Sequence, residues 1–155
     1  MPSLAKPDLD FVFGLSARLG DTVVIGQSPE GLRRMIPILD GTFSGSGLEG
    51  KVLGGGADWQ FVRDDGVTVA EAVYLLQTHD GTLIQVRNRG LRRGPPEVIA
   101  RLTAGEDVDP SEYYFRTSPS FLVKAGPYDW LNRDIFVATG ARAANAIELS
   151  FYRVT

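Results

Sequence analysis

Along this chain hydrophobic residues recur at every second position far more often than at helical spacing. In LDFVFGLSARLG, residues Leu9, Phe11, Phe13, Leu15, Ala17 and Leu19 fall on one face of an extended strand, with Asp10, Ser16 and Arg18 on the other. TVVIGQ and RRMIPI are short apolar runs divided by SPEG, which reads as a turn. DWQFVR, VTVAEAVYLLQT and TLIQVRN follow, parted by DDG and HDG. An Asp-Gly pair between β-rich runs signals a hairpin, because both turn residues must tolerate positive φ. The spacing therefore predicts a three-strand meander from Asp58 to Asn88. Further strands are expected at YYFRT, SFLVK, LNRDIFVAT and AIELSFYRV. One helix of about two turns is expected in PPEVIARLTAG, opened by Pro95 and Pro96 and closed by Gly105.

These elements make an all-β protein, a single domain over residues 1–155. Its expected form is an antiparallel, closed or nearly closed β-barrel of roughly eight to ten strands with one short helix. A barrel is preferred to a sandwich because closure removes the edges that otherwise pair with other chains. The 18 glycines and 9 prolines lie mostly between the strands, where they serve turns and bulges.

Composition narrows the chemistry. There is no cysteine and one histidine, His79, which THDG places in a hairpin turn. That removes disulfides, thiolate chemistry and cysteine-type zinc sites, and leaves too few histidines for a hydrolytic zinc centre or a Ser-His-Asp triad. No metal and no cofactor are expected. The net charge is −3, from 19 acids against 16 bases, where a nucleic-acid binder shows a basic excess. No stretch approaches the roughly 18 apolar residues that span a bilayer. The N-terminal MPSLAKPDLDF has no apolar segment of a secretion signal, so a cytoplasmic location is the expectation. Thirteen of the 16 bases are arginine, and four of them, Arg87, Arg89, Arg92 and Arg93, cluster in RNRGLRR. A solvated strand edge is the preferred reading there over an anion site.

Two stretches carry candidate chemistry. In GGGADWQ, a phosphate-binding loop is excluded, since no Lys-Ser/Thr pair or helix follows the glycines. The glycines instead suit a barrel corner or bulge. Asp58, beside Trp59, reads in two ways. Apolar surroundings would raise its pKa and make it a general acid or base; alternatively it accepts hydrogen bonds from the preceding glycine amides and fixes the turn. The second stretch is aromatic: Tyr113, Tyr114 and Arg116 in SEYYFRT, and Tyr128, Trp130 and Asn132 in YDWLNRD. On strands, Tyr114 and Arg116 share a face, as do Trp130 and Asn132. With Tyr74, such residues either line a cavity for an oxygenated, aromatic small molecule or are ordinary barrel packing.

Taken in order, GLRRMIPI, GTFSGSGLEGKVLGGGADWQFVRDDG, DGTLIQVRNRG, YYFRTSPSF and YDWLNRDIFV resemble the family known as domain of unknown function 3237. The resemblance runs from about Phe11 to Val154 and implies an antiparallel β-barrel. It also implies work on a small molecule inside the barrel, including isomerisation or ring closure of phenolic substrates. Positions it marks here are Arg34, Gly55, Gly56, Asp58, Trp59, Tyr74, Asn88, Tyr114, Arg116, Trp130 and Asn132. The chain departs from the family pattern at Gly54 (commonly proline), Val73 (often basic) and Leu122 (often acidic). Loss of a charged pair at the last two would point to a more apolar ligand.

The expectation is a small-molecule enzyme of isomerase or lyase type, using acid–base chemistry on an oxygenated aromatic or polyketide-like compound. Asp58, Tyr74 and Arg116 are its catalytic candidates. Trp59, Asn88, Tyr114, Trp130 and Asn132 are its substrate-binding candidates. The alternatives are a non-catalytic binding barrel and a structural protein with a filled core. A cavity of a few hundred cubic ångströms would reject the last of these. The partner expected is a small molecule, with neither nucleic acid nor membrane; self-association into a homo-oligomer stays open.

Overall fold

Strands whose apolar residues all face one way bury that face when the sheet curls into a closed surface. This chain does so. The computed structural model describes every residue from Met1 to Thr155. It is a closed eight-stranded antiparallel barrel with two extra strands and one helix. In chain order the elements are β1 (Leu9–Leu19), β2 (Val23–Ser28), β3 (Gly31–Gly45), β4 (Leu48–Val52), β5 (Gly56–Val62), β6 (Thr68–Thr78) and β7 (Leu83–Arg93). Then come α1 (Pro96–Thr103), β8 (Tyr114–Val123), β9 (Ile135–Ala143) and β10 (Ala146–Val154). Neighbours run β1-β10-β9-β8-β7-β6-β4-β3, and β1 pairs with β3 to close the ring. No helix is long and apolar enough to cross a membrane.

β4 and β5 together fill one stave. Both lie between β3 and β6, β4 beside the second half of β3 and β5 beside the first. The interruption is Leu53–Gly55, inserted between Val52, opposite Gly41, and Gly56, opposite Ile38. More residues on one strand than on its partners make a bulge, which bends the strand and sharpens its twist. The glycines of GGGADWQ are that bulge. Gly55 has φ +98, and a Cβ on Gly56 would lie 2.6 Å from the Cβ of Tyr74. Only glycine suits either position, for different reasons.

The meander from Asp58 to Asn88 is present as β5, β6 and β7, turning at the two Asp-Gly sites. His79 is exposed in the second turn. There Asp80 accepts a hydrogen bond from the Tyr128 hydroxyl at 3.1 Å and another from Thr78. The helix forms where Pro95, Pro96 and Gly105 predict it.

Three expectations are corrected. A bulge between Phe11 and Phe13 shifts the alternation of β1, so Val12 and Phe13 are buried while Leu9 and Phe11 are exposed. YYFRT and SFLVK form one strand, β8, because Pro119 sits within it without breaking its pairing to β7. Trp130 and Asn132 lie not on a strand but in a short 3-10 helix over Asp129–Asn132, and β9 begins only at Ile135.

The interior divides along the barrel axis. Phe13, Phe43, Phe121, Phe136 and Phe151 fill one end, with Phe13 stacked on Phe151 at 4.4 Å. At the other end the inner face carries small residues, Ala17, Ala70, Ala72, Gly90 and Thr117, interleaved with charged and polar ones. There α1 packs beside the barrel through Val98 and Leu102, in a separate apolar cluster with Tyr113 and Phe115.

Candidate functional site

The small inner residues leave a cavity of about 40 Å³, bounded by side chains of β1, β3, β4, β5, β6, β7, β8 and β10. Eleven of its fourteen lining residues are hydrophobic; the exceptions are Asp58, Asn88 and Thr117. It is smaller than the few hundred cubic ångströms that would reject a structural protein with a filled core, so volume does not remove that reading; the phenylalanine cluster occupies the rest of the interior. Its polar wall is what distinguishes it from a packing void.

Strand register assembles that wall. Asp58 stands opposite Ala72, and Ala72 opposite Asn88, so the two polar side chains flank an alanine on three adjacent strands. One step along the barrel, Gln60 faces Ala70, Ala70 faces Gly90, and Gly90 faces Thr117. Tyr74 lies on the same inner face, two residues from Ala72, in the space that Gly56 leaves open. Arg92 ends the inward row of β7 after Asn88 and Gly90; Arg34 enters from β3 opposite Gln60.

A hydrogen-bond chain runs through this wall. The Arg34 Nε donates to Gln60 Oε1 at 2.8 Å, and Gln60 Nε2 donates to Asp58 Oδ2 at 2.6 Å. The other carboxylate oxygen of Asp58 accepts from the Glu71 backbone N–H at 3.1 Å. The alternative sequence reading, in which Asp58 binds the glycine amides, is thus replaced by partners on β5 and β6. Asp58 keeps part of its surface open, since it borders the cavity, but protein surrounds it on its other sides. That burial pushes its carboxyl above the ordinary carboxylate range. The Gln60 hydrogen bond opposes the shift most, followed by the charge of Arg92, the Glu71 N–H and the charge of Arg142.

Four buried polar atoms here have no hydrogen-bond partner: the Tyr74 hydroxyl, Asn88 Oδ1, Arg92 Nε and the Thr117 hydroxyl. Tyr74 is near enough to Asn88 to feel its dipole without a well-formed hydrogen bond between them. Burial raises the Tyr74 phenol further above neutrality, so it remains a donor. Arg92 is 6% exposed, its guanidinium 5.7 Å from the Phe115 ring, and burial with Arg142 and Arg34 nearby brings it down to about 10. It is still charged at neutral pH. Arg142, on β9, lies within electrostatic reach of Asp58, Arg34 and Arg92. None of the three arginines forms an ion pair.

Of the residues singled out from the sequence, Asp58, Tyr74 and Asn88 therefore meet at the cavity. The others do not. Tyr114 and Arg116 do share a face, but it is the outer one: Tyr114 is 40% exposed and lies between the guanidiniums of Arg93 and Arg116. The cause is parity, since Phe115 and Thr117 take the inward positions of β8. Trp59 points outward for the same reason, beside Arg33. Trp130 packs on the phenylalanine end near Phe136. Asn132 closes an edge of β8, accepting from the Val123 N–H at 2.9 Å and donating to its carbonyl at 2.8 Å. Val73 and Leu122 also lie on the outer face, on alternate positions from Tyr74 and Phe121, so those departures do not alter the cavity. Sequence reasoning passed over Thr117 and Arg142, and read Arg92 with Arg87, Arg89 and Arg93 as a solvated strand edge; those three are exposed, but Arg92 is buried on the inner face. For Arg92 a signal existed: carrying the alternation of Ile84, Val86, Asn88 and Gly90 forward puts it inside. Arg142 had none.

Fold and site define a class, a closed antiparallel barrel with a polar-walled cavity at one end. More particularly, the chain belongs to the family described as protein of unknown function (DUF3237), whose model matches residues 7–154. A UPF0311 protein of Rhodopseudomonas palustris is 41% identical over 144 residues, covering 93% of this chain and 94% of its own. The crystal structure of a conserved protein of unknown function from that species superposes with a TM-score of 0.93 at 38% identity, over 98% of this chain and 100% of its own. The hydroalkoxylation enzyme phnH of Penicillium herquei is 32% identical over 80 residues, 52% of this chain and 53% of its own. A crystal structure of an enzyme from Penicillium herquei shares the fold, with a TM-score of 0.74 at 22% identity over the full length of both chains.

Proposed function

We propose that this protein is an acid–base enzyme of isomerase or lyase type, acting on the oxygenated end of a small aromatic or polyketide-like compound. The observation that carries the reading is the convergence of Asp58, Tyr74 and Asn88 on one cavity, with the Tyr74 hydroxyl and Asn88 Oδ1 both lacking partners. The relationship to an enzyme named for hydroalkoxylation supports it in kind. A cavity of about 40 Å³ has room for only a few atoms, so only the reacting end of such a compound would enter it.

In a ring closure of this kind, a substrate hydroxyl adds across a carbon–carbon double bond. The C–O bond forms as the π bond breaks, one carbon gains a proton, and the hydroxyl loses one. The product is an isomer, so no oxidant and no leaving group is involved. Asp58, held toward its protonated form by burial, supplies the proton to carbon and recovers the hydroxyl proton as carboxylate. Tyr74 donates to the oxygen on which negative charge develops. The predominantly apolar lining equally suits a protein that binds such a compound without converting it.

Turnover of a panel of phenolic enones and lactones, followed by chromatography, separates the two. Conversion of at least one compound is expected, lowered by about 10²–10⁴-fold in Asp58→Asn, the usual contribution of a general acid or base. Binding without turnover on any compound, unchanged in Asp58→Asn, leaves the carrier reading standing and removes the enzyme.

A further inference from the structure

We infer that the polar end of the barrel recognises a carboxylate carried on an apolar body, gripped by Arg92 with Thr117, while Arg34 and Arg142 add positive charge around it. The inference rests on the cavity site described above and names the class of ligand it takes. The donors come first. Arg92 Nε and the Thr117 hydroxyl are buried hydrogen-bond donors without acceptors on the adjacent strands β7 and β8, where Thr117 stands opposite Gly90, two residues from Arg92. Buried donors in folded proteins are nearly always satisfied, so these two together mark a place for an acceptor that the chain does not itself provide.

Charge makes the same demand. Three guanidiniums surround one carboxyl, and that carboxyl spends its oxygens on Gln60 and on the Glu71 N–H. None of the three has an ionic partner, and Arg92 is buried, where uncompensated charge is costly, while Arg34 and Arg142 are half-buried. A bound anion offsets that cost. Asp58 acts on all three guanidiniums, and one carboxyl cannot offset three charges.

Shape selects among anions. Arg92 offers a planar fork suited to a carboxylate, and its position against Phe115 restricts how it turns. The hydrophobic walls around Leu15, Ile38 and Leu149 suit a hydrocarbon body, which inorganic phosphate lacks. Asn88 Oδ1 and the Tyr74 hydroxyl, the remaining unpartnered atoms, both border the cavity, as acceptor and donor for a hydroxyl elsewhere on the ligand.

The test is titration calorimetry of the whole chain with benzoate, benzamide and inorganic phosphate. Benzoate differs from benzamide in charge and hardly in shape, so at least a tenfold preference for benzoate is expected in the unmodified protein, which needs no variant to be read. Arg92→Met should abolish the preference and Arg92→Lys restore part of it. Arg93→Met, on the outer face of the same strand, should leave it intact. Equal affinities for benzoate and benzamide, no binding of either, phosphate matching benzoate, or an Arg93→Met loss as large as that of Arg92→Met would each overturn the inference. Binding is read without turnover. A protein that discriminates benzoate yet converts nothing keeps this site and loses the acid–base reading.

Discussion

Asp58 owes its character to its surroundings more than to its own chemistry. Its carboxyl has an ordinary value of 3.8 and is raised by burial in the fold. Between those two values the folded protein holds a proton that the unfolded chain has released. Stability contributed by this residue is therefore full below about pH 4 and is lost as pH rises toward the raised value. Comparing wild type with Asp58→Asn by urea denaturation from pH 3 to pH 8 isolates the effect. The difference should move in favour of the variant as pH rises, by about 1.4 kcal/mol for each unit of the shift. A difference independent of pH would mean that Asp58 titrates normally. At this scale the sequence was legible for Asp58, since an acid entering an apolar strand after a glycine bulge is a local pattern. It was misleading for Arg116 and Tyr114. Their shared face was right, but the side of the sheet it occupies depends on which of Phe115 and Arg116 the interior accepts.

At the scale of elements, the bulge between β4 and β5 is the device that seats the site. It carries the strand from the phenylalanine end to the polar end and leaves Gly56 against Tyr74. The two glycines make separable predictions. Gly56→Ala forces a Cβ into backbone and side-chain atoms of β6, and should cost about 1–3 kcal/mol while altering the tyrosine near-UV circular dichroism. Gly55→Ala has open space but an unfavourable φ, and should cost about 1–2 kcal/mol without that spectral change. Equal spectra would place the strain in the turn alone. The meander of β5, β6 and β7 was readable because Asp-Gly turns and alternation are both local signals. The bulge in β1 was not, since one extra residue shifts the parity of a strand without changing its composition. The same blindness turned Asp129–Asn132 into an expected strand.

For the whole molecule the division of the interior matters most. One end is a packed aromatic core that supplies stability, and the other is hollow, polar and electrically unbalanced. The two ends should respond independently. Phe13→Ala, at the centre of the phenylalanine cluster, is expected to cost about 3–5 kcal/mol in urea denaturation, while the benzoate preference over benzamide stays within about twofold of wild type, less than 0.5 kcal/mol. Loss of that preference would show that the core and the cavity are mechanically coupled. What the amino-acid sequence determined by itself was the class of fold, the meander, the helix and the candidacy of Asp58 and Tyr74, because alternation, turn chemistry and residue type are properties of neighbours along the chain; Asn88 became a candidate through the family resemblance. Tertiary structure alone decided which face of each strand turned inward, how little space the phenylalanines left, and that arginines distant in sequence gather around one carboxyl. Those outcomes depend on bulges and on register between strands far apart in the chain, and a side chain acquires its burial and its electric field only from the groups that closure of the barrel brings against it.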